Sequence, residues 1–382
     1  MTSFLVFTVL VLIGIAVWQL TKIFDLTQIG SASADSEIAN DKDNSVNGYL
    51  MFAFVGFIYV FTIYSLYAWS DLVLGTPASE HGTDYDNLMG ISMALIFFVQ
   101  TFTQFLLHYF AFKYRGKEGQ KALYFADNNK LEAIWTIIPV IVLAGLIMYG
   151  LYTWNNIMFV DEEDKQDAIV IELYAKQFGW EARYAGEDKT LGKANVRLIE
   201  GINTLGVDLA DPAAQDDKVV TELHLPVGKK VIFKMRSQDV LHSAYMPHFR
   251  AQMNCVPGMI TQFSFTPTVT TADMRTDAAI VAKVDKINKI RTKNSAKIVA
   301  EGGAALDPYT FDYLLLCNKI CGSSHYNMQM KIVVDTPEEF KTWLSDKPTL
   351  AQQWKEANAP KPVETAVAPA VDSTKVVAQV IK

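Results

Sequence analysis

The chain has 382 residues, 50% of them hydrophobic and 12% aromatic, and a net charge of −7. That apolar content exceeds the needs of one soluble domain, and the acidic balance gives no support to nucleic acid as a partner.

The apolar excess is concentrated in residues 4–19, 49–68, 89–112 and 133–154. Three of these blocks approach or exceed the roughly 20 residues that cross a hydrocarbon core, and the first is marginal. All four read as membrane helices. The first also resembles a cleaved signal peptide, with small residues at Gly14 and Ala16, but no Lys or Arg precedes it. Both readings stay open there. No cysteine follows this block, so it is not a lipoprotein anchor.

The loop after the third block carries Lys113, Arg115, Lys117, Lys121 and Lys130, which places it on the cytoplasmic side. The loop at 69–88 is acidic, with Asp71, Glu80, Asp84 and Asp86, and belongs outside. The chain beyond Trp154 is then extracytoplasmic, where exposed thiol pairs oxidise unless a metal holds them.

From residue 167 onward, short runs rich in Val, Ile, Phe and Tyr alternate with Gly, Pro and Asp, as in AIVIELYA, KKVIFKMRS and MQMKIVVD. They predict strands of a sandwich or small barrel. Residues 271–304 are Ala- and Lys-rich and predict a solvated helical insertion rather than a nucleic-acid patch. From about 347 the composition turns to Ala, Pro and Val, which predicts a mobile tail. There is no internal repeat. The predicted organisation is extra N-terminal membrane helices and loops over 1–88, a transmembrane hairpin over 89–154, an outer β domain over 155–346 and the tail over 347–382.

The stretch CNKICGSSHYNM, residues 317–328, holds two of the three cysteines, one of the six histidines and a methionine. A disulfide between Cys317 and Cys321 would leave His325 and Met328 unexplained. Structural zinc could use the cysteines, His325 and a distant His, but it seldom takes a thioether. Thiolate, thioether and imidazole together favour copper. A mononuclear blue-copper site uses one Cys, whereas two thiolates allow two coppers to share both sulfurs, so a dinuclear centre is the better count. The second imidazole is offered by SQDVLHSAYMPHF, in which His242 follows a strand end. His248 reads as a hydrogen-bonded surface or interface residue, and His224, inside TELHLP, as structural.

At this point the chain resembles subunit II of cytochrome c oxidase, in the haem-copper oxidase superfamily, over roughly residues 89–345. The marks are NNKLEAIWTIIP, AKQFGWEARY, DVLHS, the VPG turn at 256–258 and the cysteine motif itself. The resemblance implies that the last two helices form the family's hairpin and that the outer domain is an all-β, cupredoxin-like Greek-key barrel. It implies the two-copper centre CuA, with Cys317 and Cys321 bridging and His242 and His325 each capping one metal. Met328 would be the weak axial ligand on the copper of His242, and the backbone carbonyl of Lys319 its counterpart on the other. A haem and a further copper would sit in catalytic subunit I. Other implied partners are further oxidase subunits, membrane lipid, and cytochrome c or a tethered cytochrome c domain as donor. The setting is a multi-pass protein of the bacterial cytoplasmic (inner) membrane with its CuA domain outside, supporting O2 reduction and proton pumping.

Departures from that family include Asn254, where an Asp is common, and Met259, where an Arg often follows the VPG turn, and two more bear on the site. Lys319 stands where a Glu usually helps hold magnesium, and an ammonium cannot ligate that ion, which leaves this chain's magnesium contribution doubtful. Gln177-Phe178-Gly179-Trp180 replaces the usual Gln-Trp-Tyr-Trp, so Trp180 and Phe178 are the candidates for electron input. No Cys-x-x-Cys-His occurs, so no haem c is fused to the chain. Glu132 matches the Glu at the mouth of a proton-uptake channel, although a helix-start carboxylate is also favoured by the dipole. Acidic groups at 161–164 and at Asp208, Asp211, Asp216 and Asp217 suit long-range steering of a basic donor. The alternative function is a membrane-anchored copper-binding or copper-delivery protein. The added helices and the insertion suggest further contacts, such as those of a larger respiratory supercomplex.

Overall fold

A computed structural model describes residues 2–29, 40–70, 73 and 75–359. The chain forms two compact units, one of Met1–Val73 and Asp86–Leu151, the other of Leu74–Tyr85 and Tyr152–Lys382.

In the first unit lie most of four helices: α1 (Thr2–Ile29), α2 (Asp41–Trp69), α3 (Gly82–Lys113) and α4 (Asn129–Met158). Each carries an apolar stretch long enough to cross a membrane. Large side chains such as Val60, Ile63, Phe98 and Ile141 are exposed along them. Such surface is costly in water and favourable in hydrocarbon, where a helix also satisfies its own backbone. The start of α2 meets the end of α3: Phe112 packs against Tyr49 and Phe52 at ring distances of 5.0 and 5.2 Å. Gly48 permits this, because a Cβ there would lie 2.5 Å from the Phe112 ring. Arg115 lies 4.2 Å over the same ring and donates to Ser45 Oγ at 3.2 Å.

The second unit is the β domain. It begins with α5 (Glu162–Asp167), followed by β1 (Ile169–Lys176), β2 (Gly179–Tyr184), β3 (Lys218–Val220), β4 (Leu223–Pro226) and β5 (Val231–Ser237). Then come β6 (His242–Met246), β7 (Ala251–Cys255), β8 (Thr261–Phe265), α6 (Thr271–Met274) and α7 (Ala278–Ala300). The last elements are β9 (Tyr313–Cys317), β10 (Gln329–Asp335), α8 (Pro337–Ser345) and α9 (Leu350–Ala357). They build two five-stranded sheets, ordered β3-β2-β1-β5-β8 and β4-β10-β9-β6-β7. Both sheets feed one core: Ile171, Leu173 and Ala175 of β1 face Tyr313, Leu315 and Cys317 of β9 and Met330, Ile332 and Val334 of β10 in a single buried cluster. The two-residue period of a strand sends every second side chain inward. Tyr313 and Leu315 therefore fix the inward direction of Cys317, since a one-residue slip would expose all three.

A buried ion network spans the first sheet. Arg183 donates to Glu172 at 2.6 Å and to Asp217 at 2.7 Å, with all three side chains almost fully buried, and Arg236 pairs with the other oxygen of Glu172. Burial pushes Asp217 up to about 6 despite the guanidinium beside it. The expectation of a surface charge is thus corrected for Asp217. Asp217 is an interior charge, while Asp208, Asp211 and Asp216 accept from backbone amides of the same region.

Two further expectations change. Residues 75–85, read from the sequence as part of an outer loop of the N-terminal region, are stitched into the β domain. Ala78 N donates to His248 O at 2.8 Å, Thr268 N to Ala78 O at 2.9 Å, and Ser79 Oγ to Phe249 O at 2.7 Å. Within the expected mobile tail, α9 is a docked helix. Thr349 and Gln352 form its capping box, Leu350 and Ala351 are buried, and Leu350 N donates to Asp217 O at 2.8 Å. Residues 360–382 of that tail lie outside the described residues. The Ala- and Lys-rich stretch is helical as read, as α7.

Candidate metal centre

Strand β9 ends at Cys317, and the loop that follows returns to β10 through a 3-10 turn over His325–Asn327. The base of the loop is closed by Cys317 N donating to Met328 O at 3.0 Å and Asn318 N donating to Ser243 O at 3.1 Å. Ala244 of β6 lies opposite Cys317, which brings His242, two residues earlier, to the same end of the sheet. Local strand pairing thus delivers a histidine 75 positions away.

The thiols of Cys317 and Cys321 stand 3.8 Å apart. A disulfide needs about 2.05 Å, so the sulfurs are separate donors. His242 Nδ1 lies 3.7 Å from Cys317 Sγ, and His325 Nδ1 lies 3.6 Å from Cys321 Sγ. Met328 Sδ is 3.7 Å from Cys321 Sγ, and Cys317 Sγ donates to the Lys319 carbonyl at 3.2 Å. His242, Cys317 and Cys321 form a buried group whose ligand atoms all lie within 4.8 Å of one another. Two thiols, two imidazole nitrogens, a thioether and one carbonyl converge, with no carboxylate among them. Such a soft set fits copper and fits Mg2+ or Ca2+ poorly. Burial, then the bond with Cys317, pushes the Cys321 thiol up to about 11, so a metal would have to displace its proton.

The surrounding contacts orient these groups. His242 Nε2 lies 2.8 Å from Asp239 Oδ1. A carboxylate accepts, so this nitrogen carries the proton and Nδ1 presents its lone pair to the sulfurs. Burial alone would raise Asp239, but the hydrogen bonds from His242, Gln177 N and Val240 N outweigh it and hold the carboxyl low. Gln177 then continues the chain of contacts, its side-chain amide donating to the Cys321 carbonyl. Phe178 lies on Gly322, where a Cβ would come within 2.8 Å of the ring, and a φ of +141° there further favours glycine. Sequence reasoning missed Asp239, Gln177 and Gly322. The Asp-x-x-His spacing was an available signal for the first; nothing local marked the pairing of Gln177 with Cys321.

The other predicted residues separate. The Lys319 side chain is exposed and only its carbonyl faces the sulfurs. Trp180 is buried with its ring 6.2 Å from that of His242, whereas Phe178 is partly exposed. His224 stacks on Trp343 at 3.9 Å and bonds Asp335 at 2.5 Å, a structural residue as expected. His248 is not the hydrogen-bonded surface residue predicted. Its ring packs edge-on against Phe311 and Tyr313, its Nδ1 is buried without a partner, and burial pushes it down to about 4. Glu132 belongs to the helical unit, exposed in the first turn of α4.

Residues 67–153 match the family model for cytochrome c oxidase subunit II, transmembrane domain, and residues 170–273 match that for its periplasmic domain. The alternative cytochrome c oxidase subunit 2 of Bradyrhizobium diazoefficiens is 32% identical over 278 residues, covering 72% of this chain and 84% of that one. Cytochrome c oxidase subunit 2 of Thermostichus vulcanus is 25% identical over 305 residues, covering 73% and 80%. Among solved structures, the periplasmic domain of subunit II of cytochrome oxidase from Bradyrhizobium japonicum aligns with a TM-score of 0.26 at 18% identity, over 46% of this chain and 91% of that one.

Proposed function

The chain belongs to the cytochrome c oxidase subunit II family, and on that premise we propose that its outer domain passes electrons from a cytochrome c, through a dinuclear copper centre, to the haem of catalytic subunit I. As a family member it is a membrane-embedded subunit of an oxidoreductase complex, with an extracytoplasmic β domain and other oxidase subunits as partners. The membrane in question is the bacterial inner membrane.

One observation carries the reading: two unbonded thiols 3.8 Å apart, each with an imidazole nitrogen beside it, at 3.7 and 3.6 Å. Cys317, Cys321, His242 and His325 would hold the metals, with Met328 and the Lys319 carbonyl as further, weaker donors. When bound, a copper pair sharing both thiolates exchanges one electron with little change in bond length. The chain's task is to keep those ligands still. Asp239 fixes the tautomer of His242 and reaches through Gln177 to the Cys321 carbonyl, tying the two halves of the ligand set together. Around them the surface is apolar: Ile320 and Tyr326, each beside a ligand, are 87% and 88% exposed, and Phe178, Leu241 and Met259 are also open. Exposed rims of this kind suit a redox partner that docks closely and leaves. Purified complex should contain, for each copy of this chain, two coppers beyond the one in catalytic subunit I, and show a mixed-valence dinuclear EPR signal with near-infrared absorption. One loosely held, exchangeable copper would instead indicate delivery.

Asp239→Asn tests the positioning role. The amide can present its NH2 to His242 Nε2 and weaken the tautomer preference. Copper affinity should fall roughly 10- to 100-fold, as for other groups that orient a ligand. Titration with a copper chelator reads this directly, and an unchanged affinity would remove Asp239 from the assembly.

Glu132 is proposed to admit protons from the cytoplasmic side, where the positive loop of residues 113–130 places it. Glu132→Gln removes the titrating group while keeping its size. Copper content and spectra should persist while steady-state turnover drops by a substantial fraction. Unchanged turnover and proton uptake would reduce Glu132 to a helix-start carboxylate favoured by the dipole.

A further inference from the structure

Helix α7 projects between β8 and β9, and its two faces differ in kind. One face is used by its own chain. Ile280 is buried, Val284 packs on the core, Asn288 exchanges bonds of 2.7 and 3.0 Å with the Tyr309 backbone, and Arg291 donates to Asp307 O at 2.9 Å. At 3.6 residues per turn, Lys283, Lys286, Lys289, Lys293 and Lys297 fall together on the opposite face. All five are exposed, with the exposed side chain of Ile290 among them. Two carboxylates border the face, Asp285, which pairs with Lys289 at 2.6 Å, and Glu301 at the C-cap, and Lys286 has an interaction of its own. The chain as a whole carries −7, so this face opposes the sign of the molecule that bears it.

We infer that the lysine face of α7 is a docking surface for an acidic protein on the extracytoplasmic side. A membrane surface fits less well, because an interfacial helix sinks an apolar face into lipid opposite its lysines. Here most of the apolar face is covered by the return segment and the core, and the exposed Val281, Ile290 and Val299 do not line up with one another as a single anchor. The partner also differs from a docking electron donor. The arm is rooted at the Tyr313 end of β9, where Arg275 donates to Phe311 O and pairs with Asp312. The copper ligands lie at the other end, about 13 Å away at about 3.3 Å per residue. The root of the arm thus lies apart from the copper ligands along β9. Charge opposition supplies orientation and speed of encounter, and Ile290 supplies the apolar contact at the centre of the patch. This inference does not rest on the copper assignment.

The test uses the full oxidase in native membranes, with a photoreactive amino acid in place of Ile290 and, as a control, of Val299 on a different face. Light should yield a covalent protein adduct from position 290 and not from 299, and mass spectrometry should identify an extracytoplasmic protein with a net negative surface. Lys→Gln at all five positions should lower the yield per copper by about tenfold or more, the lower end of what a single-sign face adds to association. Copper content should be unchanged, since Gln keeps the helix and touches no packed side chain. The yield should also fall as ionic strength rises past about 0.1 M, where the screening length is about 10 Å. Absence of a protein adduct, an adduct with lipid alone, a basic partner, or a yield indifferent to the five substitutions would each overturn the proposal.

Discussion

Serine in place of Cys317 or Cys321 should remove the dinuclear copper signal and lower cytochrome c oxidation by more than about 100-fold, since groups that merely orient a ligand already cost 10- to 100-fold. The reason is donor character as well as count. A hydroxyl is a hard, protonated oxygen that cannot bridge two soft metals as a thiolate does. The fold should tolerate the change. Serine is close to cysteine in size, and at position 317 its hydroxyl inherits an acceptor already in place, the Lys319 carbonyl 3.2 Å from the present sulfur. The strand alternation of Tyr313 and Leu315 continues to hold the site in register. Copper analysis, EPR and turnover on the purified complex check the result. Two coppers for each copy of this chain, beyond that of catalytic subunit I, persisting in either variant would show the bridging assignment to be wrong.

The second large effect lies in stability. Arg183→Leu removes the cation to which Glu172 and Asp217 are both bonded in the interior of the first sheet. Glu172 keeps Arg236, but Asp217 loses its one ion partner among the described residues and retains a backbone donor, Gly192 N at 3.0 Å. Breaking a buried pair in this way costs about 3–5 kcal/mol, a large share of a typical total of about 5–15 kcal/mol. For a unit of this size the melting temperature should fall by roughly 10 °C. Thermal unfolding of the complex, followed through copper release, measures it. Adding Asp217→Asn to Arg183→Leu removes the orphaned charge and should recover part of the loss. A single variant that melts like the wild type would mean the network is neutral.

What could be read beforehand follows the range of the interactions involved. The membrane helices were legible because each is a continuous apolar run. Cys317, Cys321, His325 and Met328 were legible because the donors sit within twelve residues of one another. His242 required only the assumption that a strand end would approach that loop. The misplaced segments depend on contacts that composition does not encode. Residues 75–85 join the β domain through backbone bonds to Phe249 and Thr268, far along the chain. Helix α9 hides in a Pro- and Ala-rich context, although Thr349 and Gln352 at capping-box spacing were a signal. Asp217 looked like a surface charge because its partner Arg183 is 34 positions away. His248 looked polar because the aromatic rings around it, Phe311 and Tyr313, come from another strand and its approach.

The stitching of residues 75–85 has a consequence for the order in which the protein is made. That segment leaves the ribosome well before His248, Phe249, Thr266 and Thr268, the residues it bonds. It must therefore already stand on the outer side of the membrane when the strands arrive. Ala78 and Ser79 wait there as a template with open backbone donors and acceptors. The β domain can close over them only if α2 and α3 have been inserted with their connecting loop translocated. An inverted hairpin would strand this peptide in the cytoplasm and leave the backbone groups at His248, Thr266 and Thr268 without their partners. Completion of the outer domain thus serves as a check on the topology of helices synthesised long before it.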